Sequence, residues 1–399
     1  MKTEDFAVNV RKPRAKHPAG WEPGFEWDGR RGTIVRDPSS DATPPQFEAL
    51  LAELCAAIGE DPADYEIVGD IQVRRWQQTP GDEYLYYHRA TISRTRGADE
   101  FDVDVDALLA AVGKRKKRQI APPVASLASA GLVVAMSDWQ AGKGDGDGVE
   151  GTISRLGQLP ALIEARWAEL RRIGVPLEVV YLCFLGDLRE SCGGHYAQQQ
   201  FRTMLNNRDQ RKVIRTSAER VIDRAAGFAP KVAVKVVGGN HGEEREQGKS
   251  TTDFGDNVDV AVIEDIAYAY SLNPDRYPHV SFAIPNDDLT LTFEHDGTVI
   301  GLAHGHQAGF GSGDPRTKIH NWWKGQMDGQ LPVGDADILV TAHYHHPWVI
   351  QRGARTHFGC PALDGGSDWF RNISGQGAPP STLSFVVTAR GWGHMELLG

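Results

Sequence analysis

The stretch Leu177–Glu190, LEVVYLCFLGDLRE, is largely apolar as far as Leu185 and then breaks on a glycine and a carboxylate. A β-rich apolar run of this length reads as a strand buried on both faces. Gly186 lets the backbone turn just before Asp187, so the carboxylate is delivered where the strand ends, with Glu190 three residues further on. The same arrangement recurs four times. LVVAM (Leu132–Met136) runs into Asp138 and Gln140, and VAVKVV (Val232–Val237) runs into Asn240 and His241. TVIGLA (Thr298–Ala303) runs into His304 and His306, and DILVTA (Asp337–Ala342) runs into His343, His345 and His346. The carboxyl ends of strands in an α/β sheet lie along one edge, so these side chains are expected to converge on a single crevice.

Between the strands, helical spacing is expected near Ser154–Ile173, Ala197–Ala225 and Asn257–Tyr270. Alternation of buried strands with helices predicts an α/β layered domain over residues 129–399. Residues 1–112 are expected to form a small α+β accessory domain. PQFEALLAELCAAIG places Phe47, Leu50, Leu51, Leu54 and Ile58 at helical spacing, and IQVRRWQ and YLYYHRATIS flank the turn TPGD as a hairpin. The hairpin interleaves Arg74, Arg75 and Arg89 with Trp76, Tyr84, Tyr86 and Tyr87, a pattern suited to gripping a nucleic-acid strand or, more blandly, to a half-buried aromatic face. Residues 113–128 carry five consecutive basic residues, Lys114 to Arg118, followed by Pro122 and Pro123, and read as a linker or a phosphate-contacting segment.

The 399 residues carry a formal net charge of −10, which provides no general attraction to nucleic acid and leaves only local basic patches for that purpose. Four scattered cysteines, Cys55, Cys183, Cys192 and Cys360, make neither a disulfide framework nor a zinc knuckle. No apolar run approaches the roughly 20 residues of a membrane span and the N-terminus lacks the apolar core of a secretory signal, so a cytoplasmic protein without membrane attachment is expected. The sequence leaves oligomeric state open.

Carboxylate, amide and imidazole donors without thiolate suit manganese, zinc, iron or magnesium better than soft ions. So many donors call for two ions, which together clamp a phosphoryl group. A single His at a strand end is more often packed or solvated than a ligand, but five such clusters, all at the ends of apolar runs, form a conjunction that chance does not supply.

The order of these clusters resembles that of the calcineurin-like metallophosphoesterases: D-x-H, GD-x-x-D or -E, GNH, a His before Gly, and GH-x-H. Here they stand as Asp138-Trp-Gln140, Gly186-Asp187-Leu-Arg-Glu190, Gly239-Asn240-His241, His304-Gly305 and Ala342-His343-Tyr-His345. The resemblance covers residues 130–399, and within the family the chain looks most like members encoded by actinobacterial phages, related to the DNA-repair exonuclease branch. It implies a four-layer α-β-β-α sandwich and two divalent metals, one among Asp138, Gln140, Asp187 and His345, the other among Asp187, Asn240, His304 and His343. His241 is left free as general acid, with a metal-bridging hydroxide as nucleophile. Two departures stand out: Gln140 replaces the usual His, and Ala342 the usual Gly.

The activity so implied is phosphodiester hydrolysis, in nucleic acid by a nuclease, in the host cytoplasm if the gene is carried by a phage. Two alternatives are a phosphatase or cyclic-nucleotide phosphodiesterase acting on a small molecule, and a non-catalytic scaffold of the same fold. Further candidates are Arg245, Lys249 and His195 as substrate contacts, and Glu190 as a residue that orients a ligand. GKGDGDG, Gly142–Gly148, reads as a flexible rim rather than a calcium loop, and Trp322 and Trp323 as core or interface aromatics.

Overall fold

In the computed structural model the chain divides into two compact units, Met1–Glu100 and Phe101–Gly399. The structure describes residues 17–18, 21, 23–27, 31–40, 43, 51–52, 55, 62–77, 83–94, 110, 113–114, 129–196, 199–246, 248–309, 313–366, 372 and 377–399.

The N-terminal unit holds an antiparallel sheet of β1 (Gly24–Trp27), β2 (Arg31–Val35), β3 (Tyr65–Trp76) and β4 (Leu85–Arg94), in the order β1-β2-β4-β3. The expected hairpin is β3–β4, with Arg74 opposite Tyr87 and Arg75 opposite Tyr86, while its TPGD turn lies outside the described residues. Of the expected helix, Leu51, Ala52 and Cys55 are described and helical, and Leu51 and Cys55 pack with Ile34, Tyr65, Ala90 and Ile92. The hairpin's arginines contact aromatics of their own unit. Arg75 lies 4.4 Å over the Tyr84 ring, and Arg89 and Arg74 lie 5.3 Å and 6.0 Å over Trp21. Of the basic segment, Gly113 and Lys114 are described; Arg115–Arg118 and both prolines fall outside.

The larger unit runs β5 (Ala130–Met136), α1 (Gly148–Arg172), β6 (Leu177–Phe184), α2 (Asn207–Ala225), β7 (Lys231–Val236) and a short ribbon of β8 (Arg245–Glu246) with β9 (Lys249–Ser250). It continues through α3 (Val258–Ser271), β10 (Val280–Ala283), β11 (Thr290–His295), β12 (Thr298–Ala303), α4 (Pro315–Asp328), β13 (Ile338–Thr341), β14 (Trp348–Arg352), β15 (Arg355–Gly359), β16 (Thr382–Thr388) and β17 (Gly391–Leu398). All five expected strands are present. Helix α2 begins ten residues later than expected because Asn206 caps it, its side chain accepting from the Asp209 amide at 3.0 Å.

Two sheets stack face to face. One has the order β10-β7-β6-β5-β16-β17, with β10, β7, β6 and β5 parallel; the other has the order β11-β12-β13-β15-β14, with β12, β13 and β15 parallel. Strand alternation explains why both faces of β5 are apolar. Leu132, Val134 and Met136 pack against α1, α2 and α3, while Val133 and Ala135 meet Ile300, Leu302, Ile338, Val340 and Phe358 of the second sheet. The outer face of the second sheet, through Leu339, is covered by Ile319 and Trp323 of α4, so Trp323 is a core residue. The result is the expected α-β-β-α layering. No described helix is long and apolar enough to cross a membrane.

Candidate metal centre

The carboxyl ends of β5, β6 and β7 in one sheet and of β12 and β13 in the other open onto a shared crevice. The cluster is thus drawn from two sheets, not from one edge. Contacts between the loops establish the convergence: His304 Nε2 lies 3.0 Å from Asp187 Oδ2, and His345 Nε2 lies 3.1 Å from Asp138 Oδ1. The His343 amide donates to Asp138 Oδ2 at 3.2 Å, and the His241 amide donates to Asp187 Oδ1 at 2.7 Å.

The backbone is bent to serve this geometry. Nine described non-glycine residues have positive φ, and Asp138, Gln140, Asp187, His343 and His345 are five of them. Left-handed residues are uncommon outside glycine, although Asp and His tolerate the region better than most, and they concentrate where surrounding structure over-determines the chain. Ala342 is not among them, so the glycine expected before His343 is not required; the left-handed turn falls on His343 itself, at φ 71°. Two glycines are required. Gly186 has φ 83° and would place a Cβ 2.3 Å from Gly239 N, and a Cβ on Gly239 would lie 2.2 Å from Asp187. Bare backbone at both positions lets the loop carrying Asn240 and His241 close over Asp187.

Beneath Asp187 lies a cradle that the motif reading missed. The buried carboxylate of Asp259, at the start of α3, accepts from the amides of Asp187 (2.8 Å), Leu188 (3.1 Å) and Gly239 (3.2 Å). Asn257, which caps α3, donates through Nδ2 to Gly239 O at 2.9 Å. Arg189 is fully buried and donates to the carbonyls of His241, Gly242 and Glu243 at 2.8, 3.2 and 3.1 Å, fastening the loop from its other side. Nothing local in the sequence marks Asp259 or Arg189, because their partners are amides and carbonyls of distant loops.

Asp187, His304 and His343 present donor atoms within 4.8 Å of one another. His304 Nδ1 donates to Leu185 O at 2.6 Å, which directs Nε2 into the crevice, the arrangement that orients metal-binding imidazoles. Asn240 Oδ1 is buried without a hydrogen-bond partner among the described residues, and the close polar neighbours of buried His304 Nε2 and Asp138 Oδ1 are fellow members of the cluster, Asp187 Oδ2 and His345 Nε2. Buried polar atoms are ordinarily satisfied, so an unpartnered amide oxygen beside buried carboxylates and imidazoles that meet one another fits a cation. Neither Asp138 nor Asp187 is paired with a lysine or arginine among the described residues, and buried carboxylates require a counter-charge.

Electrostatics follow from this crowding. Burial alone would raise the Asp187 carboxyl, but His304, His241 and His343 outweigh it and hold Asp187 well below the usual carboxylate range. Burial lowers the His304 imidazole, yet Asp187 and then Asp138 push it up to about 9. Burial, helped by His304, takes His343 down to about 3, so that ring is neutral and has a lone pair to offer. Asp259 is pushed up to about 6 by burial and by neighbouring Asp187.

The other half of the cluster is differently furnished. Gln140 Nε2 lies 3.5 Å from His345 Nε2, and its carbonyl oxygen accepts from Lys143 Nζ at 2.7 Å. Lys143 also pairs with buried Asp364, whose Oδ2 lies 3.9 Å from His345 Nδ1. The segment expected as a flexible rim is therefore drawn inward at Lys143: its amide donates to Gln140 O at 2.9 Å, and its backbone bridges to Thr203.

His241 stands beside Asn240 with its Nδ1 2.7 Å from Glu190 O. Glu190 is buried, with Oε2 3.6 Å from the same ring nitrogen and Oε1 accepting from Tyr196 at 2.6 Å, so it is no solvated loop carboxylate. His195 stacks on His241 with ring centroids 4.8 Å apart and 12° between planes, and its Nε2 lies 2.8 Å from Asn240 O. His195 therefore forms the wall behind His241. Arg245 pairs with Glu243 at 2.7 Å, and His306 Nε2 lies 3.3 Å from the other oxygen of Glu243. Lys249 is exposed in β9.

No family model and no curated protein matches the sequence. Among solved structures, a conserved uncharacterized protein from Streptococcus pneumoniae TIGR4, described as a predicted phosphoesterase, is 13% identical with a TM-score of 0.26, over 65% of this chain and 83% of that one. Vacuolar Protein Sorting 29 from Cryptosporidium parvum is 16% identical at 0.30, over 68% and 98%. An archaeal phosphodiesterase is 12% identical at 0.29, over 67% and 99%. At such scores the assignment of the site rests on its own geometry.

Proposed function

We propose that this chain is a metal-dependent phosphoesterase of the calcineurin-like kind that hydrolyses phosphodiester bonds. The observation that carries the proposal is the buried convergence of Asp187, His304 and His343 donor atoms, with Asn240 Oδ1 unpartnered and the Asp138–His345 pair joined to the same crevice. Asp187, Asn240, His304 and His343 would hold a divalent ion, and the oxygen and nitrogen donor set suits manganese, iron, zinc or magnesium. A bound divalent ion supplies positive charge for a phosphoryl oxygen and makes water more acidic.

The protein's own contribution is positional. Bonding of His241 Nδ1 to the Glu190 carbonyl places a proton on that nitrogen and leaves Nε2 to carry the second, transferable one. Stacking on His195 and the Asp187 contact to the His241 amide fix the ring at the edge of the cluster, where Nε2 can donate to the oxygen leaving phosphorus. Asp259 and Arg189 hold the two loops in register, so the orientation is built before substrate arrives.

For the substrate we favour a nucleic-acid strand, on the exposed Arg74, Arg75 and Tyr84 of the N-terminal hairpin. The test is a manganese-supplemented panel of single- and double-stranded DNA, RNA, cyclic nucleotides, a chromogenic diester and phosphomonoesters, with bound metal measured on the same sample. Diester hydrolysis abolished by chelation is expected. Failure to hydrolyse any of them despite bound metal would overturn the reading, and cleavage confined to monoesters would make the protein a phosphatase. Replacing Arg74 and Arg75 together by Ala should weaken DNA binding and lower its salt slope by about 1 per lost phosphate contact, while leaving the chromogenic diester untouched. Unchanged DNA binding would remove the nucleic-acid assignment.

A further inference from the structure

The two halves of the cluster are not equally prepared for a cation. In the half centred on Asp187, Asn240 Oδ1 is unpartnered, His304 Nε2 meets Asp187 itself at 3.0 Å, and no lysine or arginine among the described residues pairs with Asp187. In the half centred on Asp138, Gln140 has one atom able to donate an electron pair, Oε1, and one of its two lone pairs accepts from Lys143 Nζ at 2.7 Å, which holds an ammonium beside the place a cation would take. The amide's other end, Nε2, faces the imidazole nitrogen that would bind metal, at 3.5 Å. Asp364 stands behind His345 Nδ1, the place where a carboxylate strengthens a ligating imidazole, but it is ion-paired to the same ammonium. The arrangement is built: Asp364 is buried, its amide donates to Asp138 O at 3.2 Å, its Oδ1 accepts from Gly366 at 2.9 Å, and Lys143 is fixed at its own backbone.

We infer that this chain holds one divalent ion tightly, at Asp187, Asn240, His304 and His343, and that Lys143 keeps the neighbouring position at Asp138, Gln140 and His345 weak. Lys143 does so by setting its positive charge against the donor oxygen of Gln140, where it competes with a cation, and by neutralising the carboxylate behind His345. It is a positioning residue. The inference rests on the metal-dependent reading proposed above and adds Lys143 to the replacement of the usual His by Gln140 as a cause of unequal sites.

Manganese titrated into the metal-free, full-length protein, with free ion counted by electron paramagnetic resonance, tests it. One equivalent should bind tightly and a second about 10- to 100-fold more weakly, the range over which groups behind a ligand change metal affinity. Lys143→Met should tighten the second equivalent by a comparable factor, whereas Lys143→Arg, which keeps the charge, should not. Two equivalents of equal affinity in the wild type would overturn the inference and leave the phosphoesterase reading standing; so would a second equivalent unmoved by Lys143→Met. No bound manganese would overturn both. The wild-type isotherm decides the matter even where a variant fails to fold.

Discussion

The Asp187 half of the crevice and the Asp138 half use similar residues to different ends. Around Asp187, backbone amides of the cradle are satisfied by Asp259, Asn240 Oδ1 is left unpartnered, and His304 meets the carboxylate of Asp187 itself. Around Asp138, the amide that should ligate is already engaged by Lys143. A donor residue at the right sequence position is therefore not yet a ligand. What matters is whether the fold sets a competing positive charge against it.

The contrast is broken most severely at its centre. Asp187→Asn should abolish hydrolysis and reduce bound metal in both halves; full metal content in that variant would remove Asp187 as the shared residue. His241→Ala should keep the metal and lose about 10²- to 10⁴-fold in turnover. That loss should shrink for substrates with good leaving groups such as nitrophenolate, and an equal loss across leaving groups would contradict proton donation by His241.

A pH series sharpens the comparison. With His304 pushed up to about 9, ion binding at the Asp187 half must displace its proton. Affinity there should rise about tenfold per pH unit below 9, with close to one proton released per ion, as read by calorimetry in two buffers of different ionisation enthalpy. A pH-independent isotherm would separate His304 from the ion.

The smallest effect concerns the cradle. Asp259 is held at about 6, above the ordinary 3.8, so its carboxyl favours the fold most below pH 3.8, and that contribution is lost as pH rises through about 6. Metal-free wild type should thus lose stability between pH 4 and 6 relative to Asp259→Asn, as read from melting temperatures across that window. Asp259→Ala leaves three buried amides without an acceptor and should cost about 1–3 kcal/mol or more at any pH. Parallel pH profiles for wild type and Asp259→Asn would show that this carboxyl does not titrate there.

Much of the site was legible because its signals are local. A run such as Leu177–Leu185 must be buried, and Gly186-Asp187 must follow it at a turn, whatever else the chain does. The same holds for Asn240, His304 and His343, each within a few residues of an apolar strand. Legibility ended where side chains act on distant backbone. Asp259 and Arg189 look like ordinary charged residues of a helix start and a loop until their amide and carbonyl partners are seen. Lys143, in a glycine-rich stretch that reads as a rim, gains its meaning from Asp364, 221 residues away. Strand β16 likewise gave no motif, yet it lies beside β5 and completes the sheet.

Sequence alone determined the inventory: which strands are buried, and in what order their ends present oxygen and nitrogen donors. Tertiary structure decided which donors are available, since only packing sets whether a given oxygen meets an ammonium, an amide or nothing at all. Hydrogen-bonding capacity is a property of the residue, whereas its satisfaction depends on neighbours that the chain brings together only on folding.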